Sequence, residues 1–327
     1  MKILFLSHAP HEVHLEFAKS INSRIKIIPI NWFVVLSKKI SFIGYGHIFL
    51  SLLCSFFIRV KEDILLVDGG SSLFIAGFLK MRHPQIKIIL LDSDLFFYQL
   101  TKKRALTKIP SFFYNKIDAM ISVSEKNKKF ASNHVDVPMA VSVPYPKQIK
   151  KINVKRENYG LYVGRLDPEK NIRQIVKFAL GCHFFTKFII VGDGTFSNYL
   201  KRVDSTNKKI VYVRQRKDVD RFYSQCRFLI HIPDYDPYAC TVMEAALCGC
   251  LPVMSRNIGA SSLFNDIFII DDPNNFEELN KKIKYMMENE LEARKLLDDA
   301  VKKFPEKEKS VRNFIDNFNK LTKELGC

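Results

Sequence analysis

The sequence predicts an α/β protein made of two parallel-sheet domains, and three observations carry that expectation. The chain has 327 residues, more than a single hydrophobic core usually supports. Short runs rich in Ile, Leu and Val alternate with longer helical patterns, the signature of βαβ units and parallel sheets. The series is interrupted once, by Pro138, Pro144 and Pro146 and a charged, non-periodic stretch at 147–158, which reads as an interdomain linker.

In chain order, the first series of runs lies at 3–6, 25–28, 64–67, 86–91 and 119–123. The opening MKILFLSHAP fits a first core strand better than a signal peptide with a basic n-region and a cleavage site, so the protein reads as cytosolic. Residues 40–58 are nearly uncharged and close to the roughly 20 residues a bilayer span requires. They are read as a packed or membrane-touching helix, since buried helices are also apolar all round. The second series follows at 161–163, 188–191, 210–213, 228–232, 251–254 and 268–270. From Asn274 the tail is helical and charged, and Pro305 divides it into a helix ending near Phe304 and a last helix at 310–325, expected to return to the first domain.

Composition excludes several classes. With 47% hydrophobic and 26% charged residues the chain is not of the disordered type. Its seven cysteines include no CxxC pair, so they read as buried thiols in a reducing compartment, without a zinc site. The net charge of +17 suits phosphate groups on nucleotides, nucleic acid or anionic lipid. No recognised nucleic-acid module accompanies it, so no nucleic-acid partner is expected.

The densest chemical signal is LYVGRLDPEKN at 161–171. An apolar strand ends at Gly164, a loop carries Arg165 and Lys170, and a helix follows. Beyond the carboxyl end of a parallel strand, a helix N-terminus and two cations form an anion site able to clamp a diphosphate. The alternative is that Arg165 and Lys170 are solvated charges partnered by Asp167 and Glu169. At 188–194, FIIVGDG is another strand ending in a glycine turn, where Gly192 lets the backbone approach a ligand or a neighbouring loop.

The second strong signal is DPYACTVMEAALCGCLPV at 236–253. A helix starting near Cys240 or Thr241 places Glu244 in its first turn, so that Asp236 from the loop and Glu244 from the helix face one site. Paired carboxylates suit vicinal hydroxyls of sugar and ribose, and the amides of Ala239, Cys240, Thr241 and Val242 are expected to face phosphate or sugar. A capping Asp and a surface Glu are the alternative.

These three motifs, GRLDPEK, VGDG and DPYACTVMEAALCGCLPV, resemble in order and spacing the C-terminal domain of GT-B glycosyltransferases, specifically the retaining family 4 (glycosyl transferases group 1). The resemblance implies a GT-B fold, two Rossmann-like domains facing across a cleft: an acceptor-side domain at 1–146, a linker at 147–158, a nucleotide-sugar domain at 159–304 and a terminal helix at 305–327. It implies that Gly164, Arg165 and Lys170 bind the donor diphosphate, Glu244 the ribose and Asp236, in place of the usual Glu, the donor sugar. Arg214, Gln215 and Arg216 would lie near the base. Arg165, Lys170 and Asp236 would carry catalysis, without a metal or other cofactor, because the cations supply the positive charge. Candidate acceptor-side residues are His8 and His11 in SHAPHEVH, where the family's paired glycines are missing, and Asp92 and Asp94 in LLDSDLFF. Capping of the next helix is the other reading of these aspartates.

Many members of that family act on lipid-linked acceptors, so a glycan or lipid-linked acceptor at the cytoplasmic membrane face is expected. The segment TKKRALTK, with Lys102, Lys103, Arg104 and Lys108 among apolar residues, suits an anionic membrane surface. An inactive GT-B protein, an epimerase or a phosphorylase remains the alternative.

Overall fold

A computed structural model describes residues 2–7, 11–21, 26–29, 45–102 and 108–327. The chain divides into two compact units, Met1–Pro144 with Glu306–Cys327, and Tyr145–Pro305.

Unit 1 is built on a parallel sheet of β1 (Ile3–Ser7), β2 (Lys26–Pro29), β3 (Ile64–Asp68), β4 (Lys87–Asp92), β5 (Ala119–Ser122) and β6 (Met139–Val141), in the order β2-β1-β3-β4-β5-β6. Every residue of β1, β3 and β5 is buried, as expected of strands covered on both faces, and this is why they read as unbroken apolar runs. Helices α1 (Glu12–Ile21), α2 (Tyr45–Phe57), α3 (Gly70–Arg82), α4 (Phe96–Lys102), α5 (Lys108–Tyr114) and α6 (Glu125–Ser132) connect them. On one face Leu4, Leu65, Ile88 and Met120 meet Cys54 of α2, Leu79 of α3, Phe97 of α4, Phe113 of α5 and Ala131 of α6. On the other, the final helix of the chain packs on α1 and on β5 and β6, with Phe17 and Phe314 stacked at 4.6 Å.

Unit 2 holds β7 (Glu157–Val163), β8 (Lys187–Val191), β9 (Ile210–Val213), β10 (Cys226–His231), β11 (Leu251–Ser255) and β12 (Ile269–Ile270), all parallel, in the order β12-β11-β10-β7-β8-β9. Its helices are α7 (Ile172–Gly181), α8 (Ser197–Thr206), α9 (Val219–Gln225), α10 (Cys240–Leu247), α11 (Phe276–Glu288) and α12 (Glu290–Val301). The chain then returns to unit 1 as α13 (Lys307–Glu324). With β7 first in sequence, the order reverses between β7 and β10, the doubly wound pattern that opens a ligand crevice at the carboxyl ends of those two strands. Unit 1 reverses in the same way between β1 and β3.

Three details depart from the sequence reading. Strand β6 lies between Pro138 and Pro144, inside the expected first domain but outside its apolar runs; it pairs along one edge with β5, so its short length costs the sheet little. Strand β7 starts at Glu157, inside the expected linker. The tail forms α11, α12 and α13 rather than two helices, because Asn289 breaks the first stretch. Helix α2 spans 13 residues, about 20 Å at 1.5 Å per residue, and residues 40–44 lie outside the described ones. Among the described residues, no helix is long and apolar enough to cross a membrane.

Candidate functional site

The loops leaving β7 and β10 are tied together where the strand order of unit 2 reverses. After β7, a 3-10 turn over Pro168–Lys170 ends at Asn171, which takes the left-handed conformation (φ 55°). Its side-chain amide donates to the Ile232 carbonyl at 3.1 Å and to Asp234 at 2.9 Å. Beside this link, the Lys170 ammonium meets the Asp236 carboxylate, and His231, the last residue of β10, lies 3.1 Å from the same oxygen. Lys170, Asp236 and His231 are all largely withdrawn from water, with side chains 12%, 9% and 3% exposed.

Burial alone would raise the Asp236 carboxyl, but the Lys170 ammonium and the His231 hydrogen bond override it and hold the pKa well below the carboxylate range. Burial pushes the His231 ring down, so Nε2–H of the neutral ring donates to Asp236 and Nδ1 is left buried without a partner. The ring stacks on Tyr162 at 5.9 Å, whose hydroxyl donates to the Arg165 carbonyl at 2.7 Å. The backbone of Asp236 is fixed as well: its N–H donates to Asn257 at 3.2 Å and its carbonyl accepts from Gly259 at 3.0 Å.

Sequence and structure differ over Arg165. Its guanidinium is 67% exposed and bonds Asp167 at 2.8 Å and Glu169 at 3.1 Å, the solvated alternative left open by the sequence. Lys170 is the cation that faces the site.

The glycines of VGDG are explained by the neighbouring loop. A Cβ on Gly192 (φ 153°) would stand 1.9 Å from the Gly164 carbonyl, and one on Gly194 would stand 2.8 Å from the Leu166 nitrogen. Gly192 therefore packs against Gly164 itself, and Gly194 against Leu166, so the loop after β8 supports the loop after β7.

Helix α10 starts at Cys240, so Glu244 is its fifth residue, one position past the first turn. Its carboxyl is buried, accepts from the Tyr223 hydroxyl at 3.1 Å and takes a hydrogen bond from the Lys147 backbone. Burial raises its pKa more than Tyr223 and Lys147 lower it. Burial, and then the charges of Glu244 and Asp236, push the Cys240 thiol up. The amides of Ala239, Cys240 and Thr241 have no described partner. Val242 does not belong with them: it is fully buried, and its N–H donates to the Ala239 carbonyl at 3.1 Å. Arg214, Gln215 and Arg216 are exposed in the loop after β9, where Arg214 pairs with Asp193 at 3.3 Å and Arg216 with Asp218 at 2.8 Å.

In unit 1 the reversal between β1 and β3 carries a polar cluster that joins His14, of the SHAPHEVH segment, to Asp68, which the sequence did not single out. Asp68, in register with Ser7, accepts from Ser7 at 2.9 Å and Ser93 at 2.9 Å and pairs with His14 Nδ1 at 3.1 Å. Burial pushes the Asp68 carboxyl up; His14, Ser93 and Ser7 more than reverse this and leave it below the ordinary value. Only a strand-end Asp after an apolar run marked it in the sequence. Asp92 is buried, accepts from Ser122 at 3.1 Å, and is raised well above its usual value by burial and then by the charge of Asp94. Asp94 accepts from Phe96 N at 3.0 Å and Gly70 N at 2.8 Å, the capping arrangement. His11 is exposed and 5.5 Å from the His14 ring. His8, Lys103 and Arg104, and the side chain of Lys108, lie outside the described residues; Lys102 is exposed over the Tyr98 ring at 5.2 Å.

Residues 145–304, just under half of the chain, match the sequence model of the family described as "Glycosyl transferases group 1". No curated protein is similar enough in sequence to count as a match. Among solved structures, HepE of Anabaena in complex with UDP and glucose superposes with a TM-score of 0.73 at 15% identity, covering 100% of this chain and 99% of that one. Sucrose-phosphate synthase of Thermosynechococcus elongatus gives 0.70 at 12% identity, covering 100% and 97%. The lipopolysaccharide outer core galactosyltransferase WaaB, in its apo form, gives 0.65 at 15%, covering 99% of each. At these identities the likeness is one of fold: two Rossmann-like parallel-sheet units of the GT-B type.

Proposed function

We propose that the protein is a retaining glycosyltransferase of the family 4 type, moving a hexosyl group from a nucleotide-diphosphate sugar to a hydroxyl of a glycan or lipid-linked acceptor at the cytoplasmic membrane face. The observation that carries the reading is the pairing of Lys170 with Asp236, four residues ahead of the N-terminus of α10, which no side chain caps among the described residues, at the strand reversal of unit 2, inside the stretch that matches glycosyl transferases group 1. The UDP and UDP-sugar complexes formed by HepE support a nucleotide sugar as donor.

In this reading the donor diphosphate enters beside Lys170 and the amides of Ala239, Cys240 and Thr241, where ammonium, helix dipole and free N–H groups favour negative charge. Lys170 exchanges part of its bond to Asp236 for a phosphate oxygen, and Asp236, kept ionised, accepts from a hydroxyl of the donor sugar. Glu244 holds the ribose, Gly164 lets the β7 loop close on the phosphate, and Arg165 turns from Asp167 and Glu169 towards the diphosphate. Arg214, Gln215 and Arg216 border the base. The bond from the anomeric carbon to the diphosphate breaks, a bond to the acceptor oxygen forms on the same face, and the acceptor proton passes to the leaving diphosphate. Positioning and charge stabilisation carry the rate, and the cations of the site do the work a metal would otherwise do. On the acceptor side, His14 is held by Asp68 through Nδ1 and offers Nε2 to a hydroxyl, with His11 three residues before it and Asp92 and Asp94 flanking Ser93, which donates to the same Asp68.

The deciding experiment is a thermal-shift and calorimetry panel with UDP-, GDP- and ADP-sugars, followed by proton NMR of any transfer product. Binding of one class, lost about 100-fold in Lys170→Met, is expected, with the anomeric configuration kept. Failure of the wild type to bind any of the three would sink the reading, and binding without hydrolysis or transfer would assign an inactive GT-B protein.

A further inference from the structure

Helix α2 packs Ile48, Leu50 and Cys54 on the core of unit 1 and is apolar on its outer face as well. It carries no charged residue from end to end, its serines Ser51 and Ser55 are fully buried, and its phenylalanines face outward. Phe49 is 60% exposed, Leu53 40%, Phe56 59% and Phe57 83%; the first three, at spacings of four and three, form one stripe. Surface helices of soluble domains show the opposite pattern, and contiguous exposed apolar surface marks an interaction site.

The neighbours of α2 extend this surface and fix its charge. Helix α3, against which α2 packs, ends in exposed Met81 and Arg82, and α5, on the same α3, exposes Phe112. The Arg82 guanidinium lies over the Phe56 ring at 5.2 Å, and the Lys116 ammonium lies over Phe112 at 4.5 Å. Arg59, just past α2, is exposed too. Exposed aromatic rings thus stand directly beside cations, the combination that seats a helix in the headgroup region, rings towards the acyl chains and cations on lipid phosphate. A second copy of the chain is a poorer occupant: a two-fold contact would bring two copies of the same basic patch, each with Arg59, Arg82 and Lys116, into one interface, on a chain of net charge +17.

We propose that the outer face of α2, with Arg82 and Lys116, is the surface by which the protein docks on an anionic phospholipid bilayer. The surface lies wholly in unit 1, apart from the donor site, and rests on the preceding reading only for its purpose, presentation of a membrane-borne acceptor.

Sedimentation with sucrose-loaded vesicles tests this, using phosphatidylcholine containing roughly a third phosphatidylglycerol and, in parallel, phosphatidylcholine alone. The wild type should sediment with the anionic vesicles and several-fold less with the neutral ones, and the bound fraction should fall with salt. The F49S/F56S/F57S variant, its fold checked by circular dichroism and its nucleotide binding by thermal shift, should lose about tenfold or more in vesicle affinity. R82Q/K116Q should lose binding to the anionic vesicles alone. As a second measurement, F57W should shift its fluorescence to the blue on vesicles relative to the parent. Nucleotide binding unchanged in every variant separates this proposal from the donor reading. Full vesicle binding by the triple variant overturns it, as does loss of binding confined to neutralisation of Lys102, Lys103 and Arg104. A wild type that ignores both vesicles, or a triple variant whose effect is to turn a dimer into a monomer in light scattering, overturns it equally.

Discussion

Lys170 and Asp236 are 66 positions apart in sequence, yet each is the other's partner in a nearly dry setting. Lys170→Met leaves the buried Asp236 carboxylate with only His231 and the Tyr238 N–H and should destabilise the protein by about 3–5 kcal/mol in urea titration; removing Asp236 in the same molecule should recover part of that loss. The carboxyl of Asp236 is held far below its unfolded value of about 3.9. Its contribution is therefore complete above pH of about 4 and is lost as pH falls towards the folded pKa, so the stability gap between wild type and Asp236→Asn should narrow only in acid. Glu244 behaves oppositely. Its folded pKa is raised by burial, so ionisation costs stability as pH rises from about 4.3, the unfolded value, through the folded pKa. Glu244→Gln should melt no lower than wild type at neutral pH while weakening nucleotide-sugar binding about tenfold or more. Chemistry and spacing alone pointed to Lys170, Asp236 and Glu244. They did not point to His231, because one histidine inside FLIHIP reads as part of an apolar strand, and they left the pairing of Arg165 with Asp167 and Glu169 as an open alternative, since loop partners depend on a backbone path that periodicity does not fix.

Elements show a similar division. Apart from the start of β7, which lies four residues ahead of its run, apolar runs located the buried strands to within a residue or two, because a strand covered on both faces has no polar position to blur its ends. Edge strand β6 escaped, being three residues long between prolines. Arg156, at the end of the expected linker, is a structural hub: it donates to the carbonyls of Tyr223 at 3.1 Å and Cys248 at 2.6 Å and also bonds Cys226, closing the C-terminal ends of α9 and α10. No local pattern announces such a contact. The glycine turns lead to a paired prediction. Gly192→Ala forces a methyl onto the Gly164 carbonyl at a backbone angle that suits glycine, and should cost about 2 kcal/mol or more. Gly181→Ala, at the end of α7 with nothing within 4 Å, should be neutral or stabilising by up to about 1 kcal/mol. Thermal melts of the two proteins side by side check both.

For the whole molecule, the alternation of strand and helix was enough to call for two parallel sheets, but strand order was not written in it, because pairing is settled by which faces bury each other. The last helix shows how far apart such faces can lie. Phe314 and Phe318 of α13 are fully buried in unit 1, Lys307 pairs with Glu16 at 2.5 Å, and Asn317 donates to the Val141 carbonyl at 2.9 Å. Phe314→Ala should lower the stability of unit 1 by about 3–5 kcal/mol and leave nucleotide binding in unit 2 unchanged, which a urea titration with and without nucleotide can read. The same helix sets an order of events at the ribosome. Unit 2 emerges as one uninterrupted stretch, whereas the sheet of unit 1, made first, waits for residues 306–327 before Phe17 finds its partner. For the time it takes to translate unit 2, the face of β5 and β6 that α13 will cover is open. The first half of the chain is therefore the part a nascent-chain chaperone would hold longest, and a stalled product ending in unit 2 would expose apolar surface that the finished protein hides.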